Sequence, residues 1–492
     1  MRHVLLTTGL IVCPALTSAQ QRLAPAALTL ADAIAIAREH NPAYRQALNN
    51  AGPAAWAARN AFANIFFPTV TASGGIGYSG PGSQRFLTQN FSQSIATQSS
   101  SYSLGLNWEL SGQTLWARPL QRAQERATDA DIVGAAQALG SAVTQQYLTV
   151  LQARETADVA QKQLERNQQF LTLARARYGV GQATLIDVRQ AEVARGQAEV
   201  ALLRARTAVS VEKLRLFEQL GVSAPVRIDS VQLTDTFAVE TPQWKLEDLL
   251  TMAEAQNPSL QALRARERAA AWGVRSATSS YGPSVSLSAS WSGFTQRFTD
   301  INPIITGQQL QYGSLLQDCQ DENQIRTNAG LAVRSCTSYQ WGASQEQALR
   351  DQNSQYPFNF TRQPFQARLT VTLPLWTNMA RPLQVSQARA QHQDLEESVR
   401  ARGLAVQTEV SQAYLTLQTA FTAIAIQDTN RTAAREQLQL ATERYRVGSG
   451  TFFELLDAQV ASLRAELDYV TAVYDYHKAL AVLEAAVGRS LR

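Results

Sequence analysis

The stretch 283-PSVSLSASWSGF-294 alternates between apolar and polar residues with almost no interruption. Val285, Leu287, Ala289 and Trp291 fall on one side, and serines occupy the positions between them. A period of two residues is typical of a β-strand with one apolar and one polar face. The stretch therefore predicts such a strand, and the question is what covers each of its faces.

Three other stretches alternate in the same way. They are 68-PTVTASGGIGY-78, 101-SYSLGLNWEL-110 and 364-PFQARLTVTLPL-375. The predicted strands span 68–80, 99–111, 283–295 and 362–376. Strands of about ten residues cross a bilayer when tilted, and apolar faces with aromatic ends opposite polar faces are typical of outer-membrane barrels. A sheet packed on a soluble core predicts the same alternation.

Composition excludes several classes of protein. The chain has 492 residues, of which 45% are apolar and 17% charged, and its formal net charge is +4. This charge is too small to indicate nucleic-acid binding, and the sequence contains no basic tract interleaved with aromatic residues. No apolar run reaches the roughly 18–20 residues of a membrane helix, so any crossing of a membrane is expected to use strands.

Residues 1–19 predict a cleaved signal peptide, which means that the chain is exported. Arg2 supplies the positive start, a short apolar segment follows, and Thr17-Ser18-Ala19 form a small-residue cleavage site. Pro14 argues against a first helix of the fold, and lipid attachment at Cys13 is a minor alternative.

The remaining cysteines, Cys319 and Cys336, lie in a polar insertion at 298–360 that is rich in Gln and Asn. In an exported chain, an even number of cysteines predicts a disulfide. On the entropic model, closing a loop of this size stabilises the protein by about 3 kcal/mol. We expect the insertion to be an elaborated extracellular loop.

The chain repeats itself internally. At an offset of 267 residues, 177-RYGVGQATLIDVRQAEVARGQAEVAL-202 matches 444-RYRVGSGTFFELLDAQVASLRAELDY-469. At an offset of 216, 30-LADAIAIAREHNPAYRQAL-48 matches 246-LEDLLTMAEAQNPSLQALR-264. The sequence thus predicts two structural repeats, 20–221 and 246–492, joined by a linker at 222–245.

Each repeat is predicted to contain a helix, two strands, a long helix, a tight turn and a further helix. The first helices, about 30–66 and 246–280, are expected to break near Pro42 and Pro258. The long helices, about 113–177 and 379–444, would each extend roughly 90 Å at 1.5 Å per residue. Apolar residues near heptad spacing indicate coiled-coil packing.

These motifs resemble the TolC family of outer-membrane efflux proteins, over nearly the whole mature chain. The most specific elements are 177-RYGVGQATLIDV-188, 444-RYRVGSGTFFELLDAQ-459 and Leu-Pro-Leu-Trp at 373–376. The resemblance implies a mixed α+β fold, with a helical α-barrel in the periplasm and four transmembrane strands per chain. It also implies a homotrimer that closes a 12-stranded barrel in the outer membrane.

The same resemblance implies a passive exit duct for a tripartite efflux pump or for type I secretion. The implied partners are a periplasmic adaptor protein, an inner-membrane transporter and outer-membrane lipid. No enzymatic activity and no cofactor are expected. The alternative is an exported periplasmic coiled-coil protein that assembles through its sheet and has no channel activity.

The resemblance also implies roles for residues in the first tip (177–188) and the second tip (444–459). The family's acidic aperture ring matches Glu454 and Asp457. Its latch matches Asp187 and Tyr445, and Gly450 stands where the family has an arginine. We expect a link between Asp187 and Tyr445. Adaptor contacts are expected at two dipeptides in the turns, Val180-Gly181 and Val447-Gly448.

Helix capping is a competing explanation for several of these residues. Gly181 and Gly448 follow helices and suit left-handed C-caps. Thr184 and Thr451 suit N-caps, and the acids three residues later, Asp187 and Glu454, complete the pattern of a capping box.

No pattern indicates catalysis, a metal site or a bound nucleotide. His40, His392 and His477 are isolated in the sequence and are expected to be surface or packing residues. The G-x-G-x-x-G match at 75–80 belongs to a predicted strand and loop, whereas a dinucleotide site needs a helix to begin there.

Overall fold

The structure, a computed structural model, describes residues 27–86 and 89–491. The predicted signal peptide at 1–19 lies outside these residues. Most described residues are helical and a smaller part forms sheet, in agreement with the predicted mixed fold class. Within the described residues, no helix combines the length and the apolar character that crossing a bilayer requires.

The helices are numbered in chain order. They are α1 (Leu30–His40), α2 (Pro42–Asn49), α3 (Ala51–Phe66), α4 (Gly112–Gly179), α5 (Leu185–Leu220), α6 (Leu246–Gln256), α7 (Pro258–Thr278), α8 (Asn302–Asn328), α9 (Ala343–Asn353), α10 (Ala380–Arg446) and α11 (Phe452–Val487). The strands are β1 (Ala27–Leu28), β2 (Thr69–Ser79), β3 (Gly82–Phe86), β4 (Gln89–Ser94), β5 (Thr97–Leu110), β6 (Gln232–Leu233), β7 (Ser284–Phe298), β8 (Thr361–Arg362) and β9 (Gln366–Thr372).

The predicted helix breaks occur at Asn41 and Asn257, immediately before the two prolines. Asn41 has extended backbone angles, and its side chain accepts a hydrogen bond from the Tyr44 N–H at 3.1 Å, which caps α2. Asn257 repeats this arrangement with the Leu260 N–H at 3.2 Å. The first repeat differs from prediction in a second interruption at Asn50, so three helices stand where one break near Pro42 predicted two.

The main sheet is antiparallel, with β2 paired to β5, β5 to β7, and β7 to both β8 and β9. Its register confirms the predicted faces, because residues predicted to share a face are cross-strand partners. Val70 lies opposite Leu106, Leu106 opposite Ala289, and Ala289 opposite Ala367. A continuous apolar stripe therefore crosses four strands.

The opposite face is polar across the same strands. Thr71 lies opposite Gly105, Gly105 opposite Ser290, and Ser290 opposite Gln366. Ser73 Oγ and Ser103 Oγ are 2.7 Å apart, which adds a side-chain hydrogen bond between β2 and β5. The sheet therefore separates an apolar surface from a hydroxyl- and amide-rich one.

The last strand is shorter than predicted. The expected strand at 362–376 is divided into β8 and β9, and β9 ends at Thr372. Pro364 lies in the interruption and Pro374 lies just beyond the end. Proline has no backbone N–H to donate to a neighbouring strand, which explains both boundaries. The predicted loop between β2 and β5 contains the paired strands β3 and β4.

The insertion at 298–360 is more ordered than the predicted loop, because it contains α8 and α9. Cys319 and Cys336 form a disulfide that joins α8 to the segment before α9. The Asn353 side chain accepts from the Phe298 N–H at 2.6 Å and donates to the Phe298 carbonyl at 3.0 Å, which ties the end of α9 to β7. The polar composition provides no strong apolar period, so these helices are not apparent in the sequence.

The described residues group into two compact units that each draw on both repeats. One unit contains the residues up to Ala55, Arg122–Ala269 and those from His392 onward, and the other contains Trp56–Gln121 and Ala270–Gln391. The sheet lies in the second unit.

The first unit contains two corresponding hydrophobic cores. One consists of Leu28, Ala33, Ala37, Val143, Tyr147, Val150, Leu151, Leu216, Phe217, Leu220, Val231 and Leu233. The other consists of Leu249, Ala253, Val406, Val410, Ala413, Leu417, Tyr476, Ala479, Leu480, Leu483 and Val487.

The two cores reproduce the sequence repeat in three dimensions. Val143 and Leu216 of the first core correspond to Val410 and Leu483 of the second, at the offset of 267 found in the sequence. The predicted linker is part of this packing, because its strand β6 pairs in parallel with β1. Val231 and Leu233 are buried in the first core.

A glycine closes α5 against the α1–α2 break. Gly221 has φ +74°, and a Cβ there would lie 2.6 Å from the His40 carbonyl oxygen and 2.7 Å from the Asn41 Cα. The Asn41 side-chain amide donates to the Gln219 carbonyl at 2.8 Å across the same junction. Gly488 and Asn257 repeat the arrangement, with the Asn257 amide donating to the Ala486 carbonyl at 2.9 Å.

We expect Gly221→Ala to destabilise the protein by about 2 kcal/mol or more. A left-handed backbone costs an L-residue roughly 1–2 kcal/mol, and the added methyl group would press on backbone atoms that cannot rotate away. Thermal unfolding followed by far-ultraviolet circular dichroism measures the effect as a lower midpoint.

Gly196→Ala is the matched control, because Gly196 lies inside α5 and a Cβ there would meet nothing within 4 Å. Alanine in an exposed helix interior stabilises by up to about 1 kcal/mol relative to glycine. Equal midpoints for the two variants would contradict the proposed role of Gly221.

Candidate functional site

The first tip joins α4 to α5, and the second tip joins α10 to α11. In the first, the Gln182 N–H donates to the Arg177 carbonyl at 2.8 Å, and the Gly181 N–H donates to the Tyr178 carbonyl at 3.0 Å. The second has the same two bonds, from Ser449 to Arg444 and from Gly448 to Tyr445.

This pair of bonds is the Schellman arrangement, which satisfies the last carbonyls of a helix and requires a left-handed residue. Gly181 and Gly448 occupy that position with φ +77° and +87°. The predicted C-caps are confirmed, and both tips turn the chain by the same mechanism.

The helices that follow the tips begin differently. In the first tip, Thr184 Oγ1 accepts from the Asp187 N–H at 3.2 Å and Asp187 Oδ2 accepts from the Thr184 N–H at 2.8 Å, forming the predicted capping box. In the second tip, Thr451 Oγ1 accepts from the Glu454 N–H at 3.2 Å. The Glu454 carboxylate instead lies 3.6 Å from Arg444 Nη1.

The two tips pack against each other through a buried apolar cluster. It consists of Leu171, Ala174, Val188 and Ala191 around the first tip with Leu438, Tyr445, Phe452, Leu455 and Ala458 around the second. The rings of Tyr445 and Phe452 meet edge to face with their centroids 5.6 Å apart. The tips therefore form one packed body.

A buried arginine, Arg177, hydrogen-bonds to both tips. Arg177 is 9% exposed, and its Nη1 donates to the carbonyl of Tyr445 in the second tip. Its Nη2 donates to the Gln182 carbonyl of its own tip at 2.9 Å, and its guanidinium carbon lies 4.5 Å from the centre of the Tyr445 ring. Since α10 ends at Arg446, the guanidinium charge sits at the negative end of that helix dipole, where a cation is stabilised.

The repeat is not symmetric at this position. Arg444 corresponds to Arg177 at the offset of 267, but its side chain is 60% exposed and approaches Glu454. Gly450 adjoins it, and a Cβ there would lie 3.0 Å from the Arg444 Cβ and 3.2 Å from the Tyr445 nitrogen. The glycine thus allows the second tip to fold closely on itself.

The predicted link between Asp187 and Tyr445 is not a hydrogen bond in the described structure. The Asp187 carboxylate caps α5, and the buried Tyr445 hydroxyl has no hydrogen-bond partner among the described residues. Burial raises the pKa of Tyr445, the nearby Asp187 charge raises it further, and Arg177 acts in the opposite direction. Asp187 therefore influences Tyr445 through charge, and Arg177 makes the direct contact.

The predicted ring acids and adaptor-contact residues are on the surface. Glu454 and Asp457 are exposed on the first turns of α11, three residues apart and therefore on one helix face. Val180 is 69% exposed and Val447 is 72% exposed at the two turns. Each tip thus exposes an apolar side chain at its turn.

Sequence reasoning did not identify Arg177 as a functional residue, although it begins the repeated Arg-Tyr-x-Val-Gly motif. The occurrence of this motif in both tips is the sequence signal that could have identified the arginine. The burial of only one of the two arginines was not visible, because local pattern does not distinguish Arg177 from Arg444.

The predicted isolated histidines differ in their surroundings. His40 is partly exposed with Nε2 3.8 Å from a carboxylate oxygen of Glu39. His477 is buried beside the Tyr476 ring, with centroids 5.2 Å apart. His392 is not isolated, since its Nε2 lies 2.9 Å from Glu267 Oε1.

A family model described as outer membrane efflux protein matches residues 33–222 and 323–489 of the chain. Among curated proteins, the chain is similar to outer membrane efflux protein BepC of Brucella suis biovar 1 (strain 1330), with 24% identity over 335 residues. That match covers 67% of this chain and 60% of BepC, so the chain spans about three fifths of that relative's length.

Two solved structures illustrate the fold similarity. The outer membrane protein VceC from Vibrio cholerae matches with a TM-score of 0.67 and 18% identity, covering 94% of this chain and 97% of VceC. The open state of the Neisseria gonorrhoeae MtrE outer membrane channel matches with a TM-score of 0.67 and 19% identity, covering 94% of this chain and 89% of MtrE. At these identities the likeness establishes the fold.

We expect Arg177→Met to loosen the contact between the tips. A hydrogen bond to a charged group contributes about 1.5–3 kcal/mol, so amide hydrogen exchange in 444–451 should accelerate roughly tenfold to a hundredfold. Arg177→Lys should fall between wild type and Arg177→Met, because lysine keeps the charge but loses the planar two-armed contact.

Arg444→Met is the control, since its side chain is exposed and a surface change of this kind usually alters stability by less than about 0.5 kcal/mol. If Arg177→Met and Arg444→Met changed exchange in the tips equally, Arg177 would have no special role there.

Proposed function

The chain belongs to the outer membrane efflux protein family, and we propose that it forms a passive trimeric duct through the outer membrane. The duct would serve a tripartite efflux pump or type I secretion. The helical part would lie in the periplasm. The sheet carries this proposal.

The apolar face of the sheet is exposed on its two outer strands. Val70 is 63% exposed and Ile76 75% on β2, and Leu369 is 66% exposed and Val371 65% on β9. A soluble sheet buries such a face against a core, whereas a membrane strand leaves it to lipid. This observation favours lipid over the alternative of a sheet packed on a soluble core.

The sheet also has two unpaired edges. Among the described residues, β2 pairs only with β5, and β9 pairs only with β7. Open edges leave backbone N–H and C=O groups without partners, and this is not tolerated in the hydrocarbon region of a bilayer. We infer that β9 of one copy pairs with β2 of the next copy.

Three copies would close a barrel of 12 strands, because each copy would contribute β2, β5, β7 and β9. The polar face, with Ser286, Ser288 and Ser290 along β7, would then line the interior, and the apolar face would meet lipid. This arrangement places hydroxyl and amide groups along the export path and leaves no open edge.

The tips are the proposed contact for the periplasmic adaptor, which would couple the duct to an inner-membrane transporter. The exposed Val180 and Val447 supply apolar contact at the two turns. Arg177 would hold both turns in one position, so that an adaptor meets a preformed surface.

Native mass spectrometry of the mature chain, extracted from outer membranes in detergent, tests the assembly. We expect a trimer for the wild type and loss of the trimer for Leu369→Arg. An arginine on the lipid face costs about 2–4 kcal/mol near the middle of the bilayer, and a trimer would carry three of them.

Thr370→Arg is the matched control, because Thr370 neighbours Leu369 on β9 but belongs to the polar face, opposite Ser286. It should leave the trimer intact. A wild-type monomer, or equal tolerance of both arginines, would support the alternative of a periplasmic protein without a channel.

The acidic pair at the second tip is proposed to ring the periplasmic aperture, where three copies would present six carboxylates to permeating ions. Such rings favour cations. We expect divalent or trivalent cations to block single-channel conductance in planar bilayers. Neutralising both residues, as Glu454→Gln with Asp457→Asn, should raise the half-blocking concentration about tenfold or more.

Glu436→Gln is the control, because Glu436 is an exposed carboxylate on α10 outside the proposed ring. It should leave block unchanged. Block that survives neutralisation of both Glu454 and Asp457 would remove these residues from the aperture without affecting the trimer proposal.

A further inference from the structure

Three potential metal ligands converge between α7 and α10. His392 Nε2 lies 2.9 Å from Glu267 Oε1, and His392 Nδ1 lies 3.7 Å from Glu396 Oε1. One ligand atom from each of the three residues lies within 4.8 Å of those of the other two. All three belong to the same compact unit.

The helices hold these side chains in place. His392 and Glu396 are four residues apart on α10, so they project from one face in adjacent turns. Glu267 reaches them from α7, where the flanking Ala265 and Ala269 are buried. The three ligands therefore belong to two regular helices, whose backbone geometry is well defined.

The burial suits an exchangeable ion. The side chains of His392 and Glu267 are 23% and 26% exposed, and that of Glu396 is 55% exposed. The first two are shielded enough to strengthen an electrostatic contact, whereas the third leaves a path from solvent. A metal site needs both properties.

A neutral imidazole cannot donate a hydrogen bond to both glutamates at once. A neutral imidazole has one N–H donor and one nitrogen lone pair. It can therefore donate to Glu267 or to Glu396, and the other carboxylate then faces the lone pair. Two arrangements remove this conflict: an imidazolium with two N–H donors, or a cation that accepts lone pairs from one imidazole nitrogen and from the carboxylates.

The donor set indicates the class of cation. One imidazole nitrogen with two carboxylate oxygens suits zinc and its first-row neighbours, whereas calcium and magnesium prefer sites made of oxygen alone. Metal–ligand distances of about 2.0–2.2 Å place neighbouring ligand atoms about 3.0–3.5 Å apart. Glu267 approaches Nε2 and the more exposed Glu396 approaches Nδ1, so one carboxylate has to rotate toward the nitrogen that holds the ion.

We propose that Glu267, His392 and Glu396 bind one divalent first-row transition metal ion per chain and that this ion links α7 to α10. Glu267 and His392 are 125 residues apart in the chain. The ion would therefore crosslink two helices of the second repeat, independently of any role in transport.

Isothermal titration of ZnCl₂ into the full chain, purified in detergent without a polyhistidine tag, tests the proposal. We expect one saturable site per chain. His392→Ala should weaken Zn²⁺ binding about tenfold or more, since even loss of a residue behind a ligand costs about 10–100-fold. Glu267→Gln should weaken it too, and CaCl₂ and MgCl₂ should not bind there.

His40→Ala is the matched control, because His40 also lies beside a glutamate, Glu39, but belongs to no group of three potential ligands in the part of the chain that the structure describes. It should leave Zn²⁺ affinity unchanged. Circular dichroism of each variant confirms that the helices are intact. As a second readout, Zn²⁺ should raise the thermal midpoint of the wild type and not that of His392→Ala.

Absence of a saturable site in the wild type would overturn the proposal, as would equal Zn²⁺ affinity in wild type, His392→Ala and Glu267→Gln. Neither result bears on the trimeric duct, because the assembly measurement uses the sheet and not this pair of helices.

Discussion

The β-sheet constrains how this chain can exist, because its outer strands expose apolar side chains and, among the described residues, its two edges have no pairing strand. Contiguous exposed aliphatic side chains are stabilised by leaving water, whereas unpaired edge groups become costly once they enter the hydrocarbon of a bilayer. The register makes the apolar stripe continuous, from Val70 on β2 to Ala367 on β9, so the whole face needs one kind of partner. Lipid on the face and neighbouring copies on the edges meet both needs, and the proposed duct follows from that requirement.

The helical part contains two corresponding hydrophobic cores, one from each repeat. Two cores with corresponding residues, such as Leu216 and Leu483, are each closed by a glycine with positive φ that lies against an Asn-Pro break. A side chain at Gly221 or Gly488 would collide with backbone atoms, so the close approach of the ends of α5 and α11 to the two Asn-Pro breaks depends on these positions. Both repeats therefore share the requirement for glycine at this position as well as the apolar pattern of the core.

The two tips share their backbone turn but differ in the contacts of their arginines. Both turns use the same backbone bonds, but Arg177 is buried across the interface whereas Arg444 turns outward to Glu454. One arginine is sufficient to neutralise the helix end and stack on Tyr445, and a second buried charge would have required its own partners. Glu454 and Asp457 are exposed on the second tip. This is the side on which the family resemblance places the aperture.

The sequence by itself determined the strand faces, the internal repeat, the Asn-Pro breaks and the caps at Gly181, Gly448 and Thr184. The strand faces, breaks and caps depend on residues within a few positions of each other, and the internal repeat is found by comparing distant parts of the sequence directly. The sequence did not show the helices at 302–328 and 343–353, because a polar insertion has little apolar period. Only the tertiary structure decided that Arg177 reaches Tyr445, 268 residues away, and that His392 lies between two glutamates. Those contacts arise from the way helices pack, and packing at such distances in the chain is not encoded in any local pattern.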